Sequence, residues 1–520
     1  MVQLAEFRNE PLRDFRGNPE HARRMQEALD EVRQELGQEY DLVINGERFK
    51  TQDKFLSINP GQKDQVVGVI SKADAELAER AILTADEAFK TWSHVPAQQR
   101  VELALKTAQI MRERKFHYMA WMCYEVGKTW PEADADVAEA IDFGEFYARE
   151  MLRLDPLQPL TPVMGERNYL RYIPLGVGVV IPPWNFPLAI LTGMTLASVV
   201  AGNTVIMKPS SDSPVIAHKL FEALEEAGMP PGVVNYLPGP GGSLGDALVG
   251  HPRTRFVAFT GSKEVGLHVN LEAAKTAPEQ IWVKRVIAEM GGKNAIVVDS
   301  EADLEAAVEG VAVSAFGYQG QKCSACSRAI VVESVYDAFL EKLQRRVGQI
   351  KVGPATHLDS YMGPVINARA KQSILEYIEI GKKEGRLVAG GGEAPGPGYY
   401  IQPTVIADVT LEARIAQEEI FGPVLAVMKA RNFDDALEIA NDTEYGLTGA
   451  VYSKNHQKLD KAAEDFFAGN LYFNRKCTGA LVGGHPFGGF NMSGTDSKAG
   501  GRDYLLLFTQ AKAVSEKVVA

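Results

Sequence analysis

From residue 168 onward, short apolar runs alternate with amphipathic stretches, and that alternation limits the fold more than any other feature of the chain. Residues 168–173 and Gly178-Val-Val-Ile-Pro read as strands, followed by a helix from Leu188. A strand at 203–208, a helix at 213–227, strands at 233–238 and 255–260 and a helix from Lys263 continue the pattern. Strand, helix, strand in this repeat predicts an α/β fold with a parallel sheet covered on both faces. Such sheets take ligands in the crevice beyond the C-terminal ends of their strands. After Asn294 a second set follows, with strands at 295–298, 329–332, 386–389, 424–429, 450–453 and 470–474 and helices at 303–315 and 336–347. It predicts a second α/β domain beginning near residue 290.

The first third of the chain reads differently. Residues 20–37 form a helical pattern with Met25, Leu29, Val32 and Leu36 on one face and Gly37 as the stop, which suggests an arm laid across the body. Residues 41–45 and 48–58 suggest a hairpin around Asn45-Gly46. Helical patterns then run to about residue 155. In the last of them Val137, Ala140, Ile141, Ala148, Met151 and Leu152 make an apolar stripe. Glu139 and Asp142 sit beside it and are expected in solvent, unless the helix faces a cavity. The glycine-rich stretch 390–398 reads as a surface loop.

Length and composition set outer limits. A chain of 520 residues exceeds a single ordinary core, and its 45% hydrophobic and 23% charged content is that of a soluble globular protein. A net charge of −12 without a basic tract argues against nucleic acid as a partner. No apolar run reaches the ~20 residues of a membrane span, and the first ten residues hold no signal core. Four cysteines make no disulfide framework, so a reducing, cytoplasmic setting is expected, and no metal site is.

Several short motifs carry chemistry. Cys323 lies in Gly317-Tyr-Gln-Gly-Gln-Lys-Cys323, where glycines allow tight turns. A helix starting after Gly320 would aim its amides at the sulfur and favour the thiolate. Asn185, set between prolines in Pro182-Pro-Trp-Asn-Phe-Pro187, is a candidate oxyanion donor. Glu289, followed by Met290-Gly-Gly292, is a candidate general base that the glycines would let swing. Gly261 and Ser262, with Gly266 a turn later, suit a pyrophosphate at a helix N-terminus, although the usual GxGxxG is missing. Lys208 ends a strand where ribose hydroxyls are within reach. Glu418-Glu-Ile-Phe-Gly-Pro423 and Gly483-Gly-His-Pro-Phe-Gly-Gly489 combine turns with aromatics. Each alone also fits an ordinary structural turn.

Together the motifs no longer read as independent. Pro183-Trp-Asn-Phe-Pro187, Phe259-Thr-Gly-Ser262, Glu289-Met-Gly-Gly-Lys-Asn294, Gly320-Gln-Lys-Cys323, Glu418-Glu-Ile-Phe-Gly-Pro423 and Pro486-Phe-Gly-Gly489 resemble those of the aldehyde dehydrogenase superfamily, in its order and approximate spacing. The resemblance implies a Rossmann-like cofactor domain (38–157 and 175–289) and a catalytic domain (290–491). It also implies an oligomerisation hairpin and tail (158–174 and 492–520), with 1–37 as the arm. It implies Cys323 as nucleophile, Asn185 with the Cys323 N–H as oxyanion donors, and Glu289 as base. NAD would be held by Ile181, Pro183, Trp184, Lys208, Ser211, Gly261, Ser262, Gly266, Glu419 and Phe421. Many NAD-specific members carry Glu where Ser211 stands, so NADP remains open beside NAD.

Phe7-Arg-Asn-Glu-Pro11, Asp136-Val-Ala-Glu-Ala-Ile-Asp142 and 469–482 are similar to the branch of the superfamily that oxidises L-glutamate γ-semialdehyde to L-glutamate, a step of proline catabolism. That likeness implies Ser324, Gly479 and Ala480 as anchors of the α-carboxylate and Phe186 and Phe487 as flanks of the aliphatic chain, with Glu139 a lesser candidate. It also implies a homo-oligomer, at least a dimer, and leaves room for transient contact with a proline-oxidising enzyme. The alternatives are another semialdehyde such as succinic semialdehyde, and a fold that has lost its chemistry. Cys326 makes Cys323-Ser-Ala-Cys326 a CxxC, read as a spectator thiol one helical turn away, with a reversible disulfide as the other reading.

Overall fold

A computed structural model describes residues 4–518; positions 1–3 of the arm and 519–520 of the tail lie outside the described residues. Two seven-stranded sheets organise the rest. The first runs in the order Arg285–Glu289, Thr254–Thr260, Val177–Ile181, Thr204–Met207, Val234–Tyr236, Leu42–Ile44 and Glu47–Phe49. Its first five strands are parallel, and the last two form a hairpin. Asn45 and Gly46 take positive φ at the hairpin turn (56° and 76°), as the Asn-Gly pair predicts. The expected second strand, 48–58, divides in two: Lys54–Ile58 leaves to pair with Val66–Ser71 in a small separate sheet.

Val177–Ile181 and Thr204–Met207 are rich in β-branched residues and almost wholly buried, as strands covered on both faces must be. From Val177–Ile181 the chain moves outward both ways, to Thr204–Met207 on one side and Thr254–Thr260 on the other. That divergence is a topological switch point, where the C-terminal strand ends splay into a crevice. Ile181, Lys208, Gly261 and Glu289 all stand at such strand ends.

The second sheet runs Arg386–Ala389, Thr404–Ala407, Val424–Ala430, Cys326–Val332, Asn294–Val298, Thr448–Tyr452 and Asn470–Phe473, parallel except at its first strand. The third, small sheet of Thr509–Lys517, Glu166–Pro174 and Gln158–Pro159 stands largely exposed. Of the 492–520 stretch only Thr509–Lys517 enters that sheet. Tyr504, Leu505 and Phe508 instead sit in the main core.

The first helix, Pro19–Glu35, starts at Asn18, whose side chain accepts from the Glu20 N–H. It buries Met25, Leu29 and Val32, a gain of about 1.5–3 kcal/mol for each large apolar side chain at most. The long helix Trp130–Leu154 crosses between the arm and the cavity described below. Glu139 and Asp142 are not in solvent as their positions beside the stripe suggested. The helix is covered on nearly all sides, and each carboxylate is enclosed by a different neighbour.

Candidate functional site

The Cys323 loop enters from the C-terminus of the helix Leu304–Phe316, and no helix begins after Gly320. Three consecutive residues, Tyr318, Gln319 and Gly320, take positive φ (48°, 57° and 67°). That conformation is costly for two side-chain-bearing residues and survives only if the surroundings fix it. They do. The Tyr318 hydroxyl donates to the Val126 carbonyl (2.9 Å), Gln319 bridges Gly363 and Pro364, and the Gln321 side chain accepts from the Ile366 N–H. The chain then passes straight into the strand Cys326–Val332. Cys326 is therefore a strand residue, not a helical neighbour of Cys323; it is buried and donates to the Arg328 carbonyl (3.4 Å).

Asn294 grips the Cys323 loop. Its Nδ2 donates to the Cys323 carbonyl (2.7 Å) and to the Ala325 carbonyl (2.9 Å), while its Oδ1 accepts from the Thr448 N–H (3.0 Å). The glycines before it serve close approach rather than a swing of Glu289. A Cβ on Gly291 would lie 2.2 Å from Glu419 Oε2, and one on Gly292 would lie 2.7 Å from the Cys323 carbonyl oxygen. Asn185 is buried, and its Nδ2 donates to the Gln321 carbonyl (3.0 Å). An amide NH2 has two hydrogens, so the second is free for an oxyanion.

Cys323, Glu289, Phe186, Ser324, Gly479, Ala480 and Phe487 line a single cavity of about 110 Å³, together with Glu139, Tyr147 and Tyr504. Burial pushes the Cys323 thiol up to about 12, and Glu419 and Glu289 push the same way, against the Ser324 backbone N–H that stabilises the thiolate. These surroundings favour the protonated thiol. Glu289 accepts from Ser497 Oγ (2.6 Å), the Ser497 N–H and the Gly489 N–H, yet burial still raises it to about 7. Burial, with Asp136 adding, raises Glu139 to about 8.

Around the crevice of the first sheet, Lys208 is 4% exposed, and its ammonium meets only the Pro209 carbonyl (3.4 Å). Burial lowers it to about 8. A buried lysine without a carboxylate suits a polar ligand group that arrives from outside. Gly261 follows the strand Thr254–Thr260, and Ser262 caps the helix Lys263–Ala274 by accepting from the Val265 N–H. Gly266 packs so tightly on Met290 that a Cβ would lie 2.4 Å from its sulfur. Trp184 meets Phe421 edge to face at 5.5 Å, and Phe421 has φ 56°. Glu419 Oε1 accepts from the Gly292 N–H (2.9 Å) and burial raises it to about 7. Pro183 is half-buried in the same loop as Trp184, and Ser211 is exposed beyond Lys208. A helix N-terminus beside Gly261, small residues and a buried lysine without a carboxylate partner fit a dinucleotide.

Comparison with known proteins agrees with this geometry. The profile of the aldehyde dehydrogenase family matches residues 48–514. The chain belongs to the aldehyde dehydrogenase family. Among similar members, the 1-pyrroline-5-carboxylate dehydrogenase of Geobacillus kaustophilus is 59% identical over 510 residues, 98% of this chain and 99% of its own. A crystal structure of 1-pyrroline-5-carboxylate dehydrogenase from Thermus with bound NAD superposes with a TM-score of 0.98 at 53% identity, covering 99% of this chain and 100% of that one. Proline utilization A from Bdellovibrio bacteriovorus has a TM-score of 0.98 at 47% identity, covering 99% of this chain and 54% of that larger protein.

This aldehyde dehydrogenase also uses residues that the motifs did not announce. Ser497 holds Glu289 from a stretch 208 positions away, and nothing in its local sequence marks it. Asn294 was legible only as the end of a motif. Glu139 had a signal, a carboxylate beside an apolar stripe, that solvent explained equally well. Among the described residues no group of three or more His, Cys, Asp or Glu is placed to hold a metal, and no helix is long and apolar enough to cross a membrane.

Proposed function

We propose that the chain oxidises L-glutamate γ-semialdehyde to L-glutamate with NAD, as the name of its relatives suggests. The observation that carries this reading is the shared cavity. Cys323 and Glu289 line it together with Gly479, Ala480, Ser324 and Glu139. Backbone amides and a hydroxyl suit an α-carboxylate, and Glu139 is an unpaired carboxyl facing an α-ammonium. Burial, with Asp136 adding, favours the protonated form of Glu139. Arrival of the ammonium stabilises its ionised form and releases the proton.

The chain's residues then divide the work. Cys323 loses its proton and adds to the aldehyde carbon. The oxyanion formed is held by the second Asn185 N–H and the Cys323 backbone N–H. NAD would be held by Lys208, Ser211, Gly261, Ser262 and Gly266 on one side and by Glu419 and Phe421 on the other, and would supply the acceptor for the hydride that leaves this carbon as the oxyanion collapses to a Cys323 thioester. Ile181, Pro183, Trp184 and the Gly266 packing shape that crevice. Glu289 takes a proton from water, which attacks the thioester carbon. The carbon–sulfur bond breaks, and L-glutamate leaves with Cys323 restored. Phe186 and Phe487 flank the chain and keep other water out.

The same proposal includes a cofactor domain of 38–157 and 175–289, a catalytic domain of 290–491 and an oligomeric assembly through the exposed sheet. Leu157, Leu160, Val163 and Met164 are all exposed along its edge, which supports a partner copy there. All four cysteines are free, in keeping with a cytoplasmic setting. Fusion of a like domain in the larger Bdellovibrio protein supports contact with a proline-oxidising enzyme. NADH formation with L-glutamate γ-semialdehyde, set against succinic semialdehyde, tests the reading. Turnover must vanish in Cys323→Ala, and equal efficiency with both substrates would sink the assignment.

A further inference from the structure

The N-terminal segment before the first helix lies along the helix Trp130–Leu154 and reaches the back of the loop whose front lines the substrate cavity. Asn9 Nδ2 donates both to Asp142 Oδ2 (2.8 Å) and to the Val482 carbonyl (3.0 Å), and the Glu10 N–H donates to Asp142 Oδ1 (2.6 Å). Phe7 meets Phe146 edge to face, with ring centres 5.2 Å apart. A Cβ on Gly483, whose φ is 77°, would lie 3.1 Å from each of those two rings. The arm therefore packs directly on the loop's backbone. Val482 itself lines the cavity with Gly479 and Ala480.

That loop has no regular structure, and its conformation depends on a few ties. Arg475 donates to the carbonyls of Thr478 and Gly479 (3.0 and 3.1 Å), His485 Nδ1 accepts from the Leu481 N–H (3.1 Å), and the Gly483 N–H reaches the Gly500 carbonyl (2.8 Å). The tie at Val482 comes from the opposite end of the chain. Backbone amides bind an anion only while the peptide planes that carry them keep their orientation. Asn9 is a double donor, linking Asp142 on the helix that carries Glu139 to the loop that carries Gly479 and Ala480. It thereby fixes the spacing of the two ends of an α-amino-carboxylate site.

We propose that the arm, through Phe7 and Asn9, is a positioning element that sets specificity for the α-amino-carboxylate end of the substrate. The proposal rests on the reading of Gly479, Ala480 and Glu139 as that site. Neither residue touches the reacting atoms. Loss of the arm's hold on Val482 loosens the anchor and leaves the Cys323 loop, gripped by Asn294 and Gln321, as it was.

The test uses the full chain with Asn9→Ala, Phe7→Ala and Asn9→Asp. The last replaces the double donor by a carboxylate facing Asp142. In Asn9→Ala the KM for L-glutamate γ-semialdehyde rises on the order of tenfold, the scale of one lost hydrogen bond, with kcat retained. Asn9→Asp exceeds it, and kinetics with propanal, which has no carboxylate, stay as in the parent. Calorimetric affinity for L-glutamate falls by the same factor, with NAD affinity unchanged. A parallel loss with propanal, or L-glutamate affinity equal to the parent's in all three variants, overturns the inference. If the parent itself does not bind L-glutamate, the substrate reading fails first and takes the arm's role with it.

Discussion

The two loops that meet in the cavity are built to opposite standards. The Cys323 loop is tied to four separate segments: Asn294 and Asn185 donate to its carbonyls, its own Tyr318 side chain bonds Val126, and its Gln319 and Gln321 side chains bond residues 363–366; it keeps two non-glycine residues at positive φ. The 478–485 loop has two glycines at positive φ, Gly479 and Gly483, and is tied to nearby Arg475 and His485, with Asn9 and Gly500 as its bonds to distant chain. On the proposed reading the first places one sulfur against one carbon, where small displacements cost much. The second would recognise a charged group through backbone amides, whose orientation rests on fewer ties, the Asn9 bond to the Val482 carbonyl among them. The proposed chemistry thus sits on the loop with more ties and the proposed recognition on the loop with fewer.

The comparison breaks most visibly at its rigid side. In Glu289→Gln the carboxylate proposed to activate water is lost, and turnover is expected to fall by about 10²–10⁴, the range for a positioned base. Cys323 still adds to the aldehyde, so a stoichiometric burst of NADH followed by a slow steady state is the expected record. A uniform loss with no burst would place Glu289 before the thioester. Asn294→Ala comes next. It frees the carbonyls of Cys323 and Ala325 and leaves the Thr448 N–H without its acceptor, at about 1–3 kcal/mol for such buried groups. The loss is expected in kcat, and a rise in KM alone would show that the loop is held without it.

A third test uses pH, because activity and stability move in opposite directions. Glu289 sits at about 7 in the fold, above the ordinary 4.5, and Glu139 at about 8. A folded pKa raised in this way stabilises the fold fully below the unfolded value and loses that contribution as pH rises through the folded value. As the proposed base Glu289 would have the opposite need, to be ionised, which is met as pH rises through about 7. Between about 4.5 and 7, therefore, lowering the pH raises the thermal midpoint from these groups while it slows deacylation. In Glu139→Gln the stabilisation from that residue disappears, and the acid limb of kcat, which belongs to Glu289, remains. An unchanged midpoint profile would mean that Glu139 is ionised in the folded protein.

Most of the fold was legible because buried parallel strands advertise themselves: Val177–Ile181 and Asn294–Val298 are unbroken apolar runs between glycines and helical patterns. The helix Ser243–Gly250 and the strand Thr404–Ala407 lacked that contrast and were not read. The error at Gly320 has a physical cause. A glycine followed by polar residues is as good a signal for a left-handed turn as for a helix start, and only the tertiary hold of Gln319 and Gln321 decides between them. The same applies to Glu139 and Asp142. Their positions on one helix were plain, but what covers each is contributed by chain hundreds of residues away, from Val482 and its neighbours, or by the arm.

The smallest expected effect lies on the open side of the molecule. Lys208 is sealed and Ser211 is exposed, so a carboxylate introduced by Ser211→Glu would face solvent. Two unit charges ~4 Å apart interact by about 4 kcal/mol at an effective dielectric of 20, which would exclude NADP outright if the 2′-phosphate were buried against it. Exposure and salt reduce such surface terms to about 0–1 kcal/mol, or no more than roughly fivefold in affinity. Ser211→Glu is therefore expected to weaken NADP binding by a few-fold that shrinks as salt is added, with NAD little changed. A much larger and salt-insensitive loss would mean that the adenosine end of the crevice closes around its ligand as tightly as the Cys323 loop closes around its own.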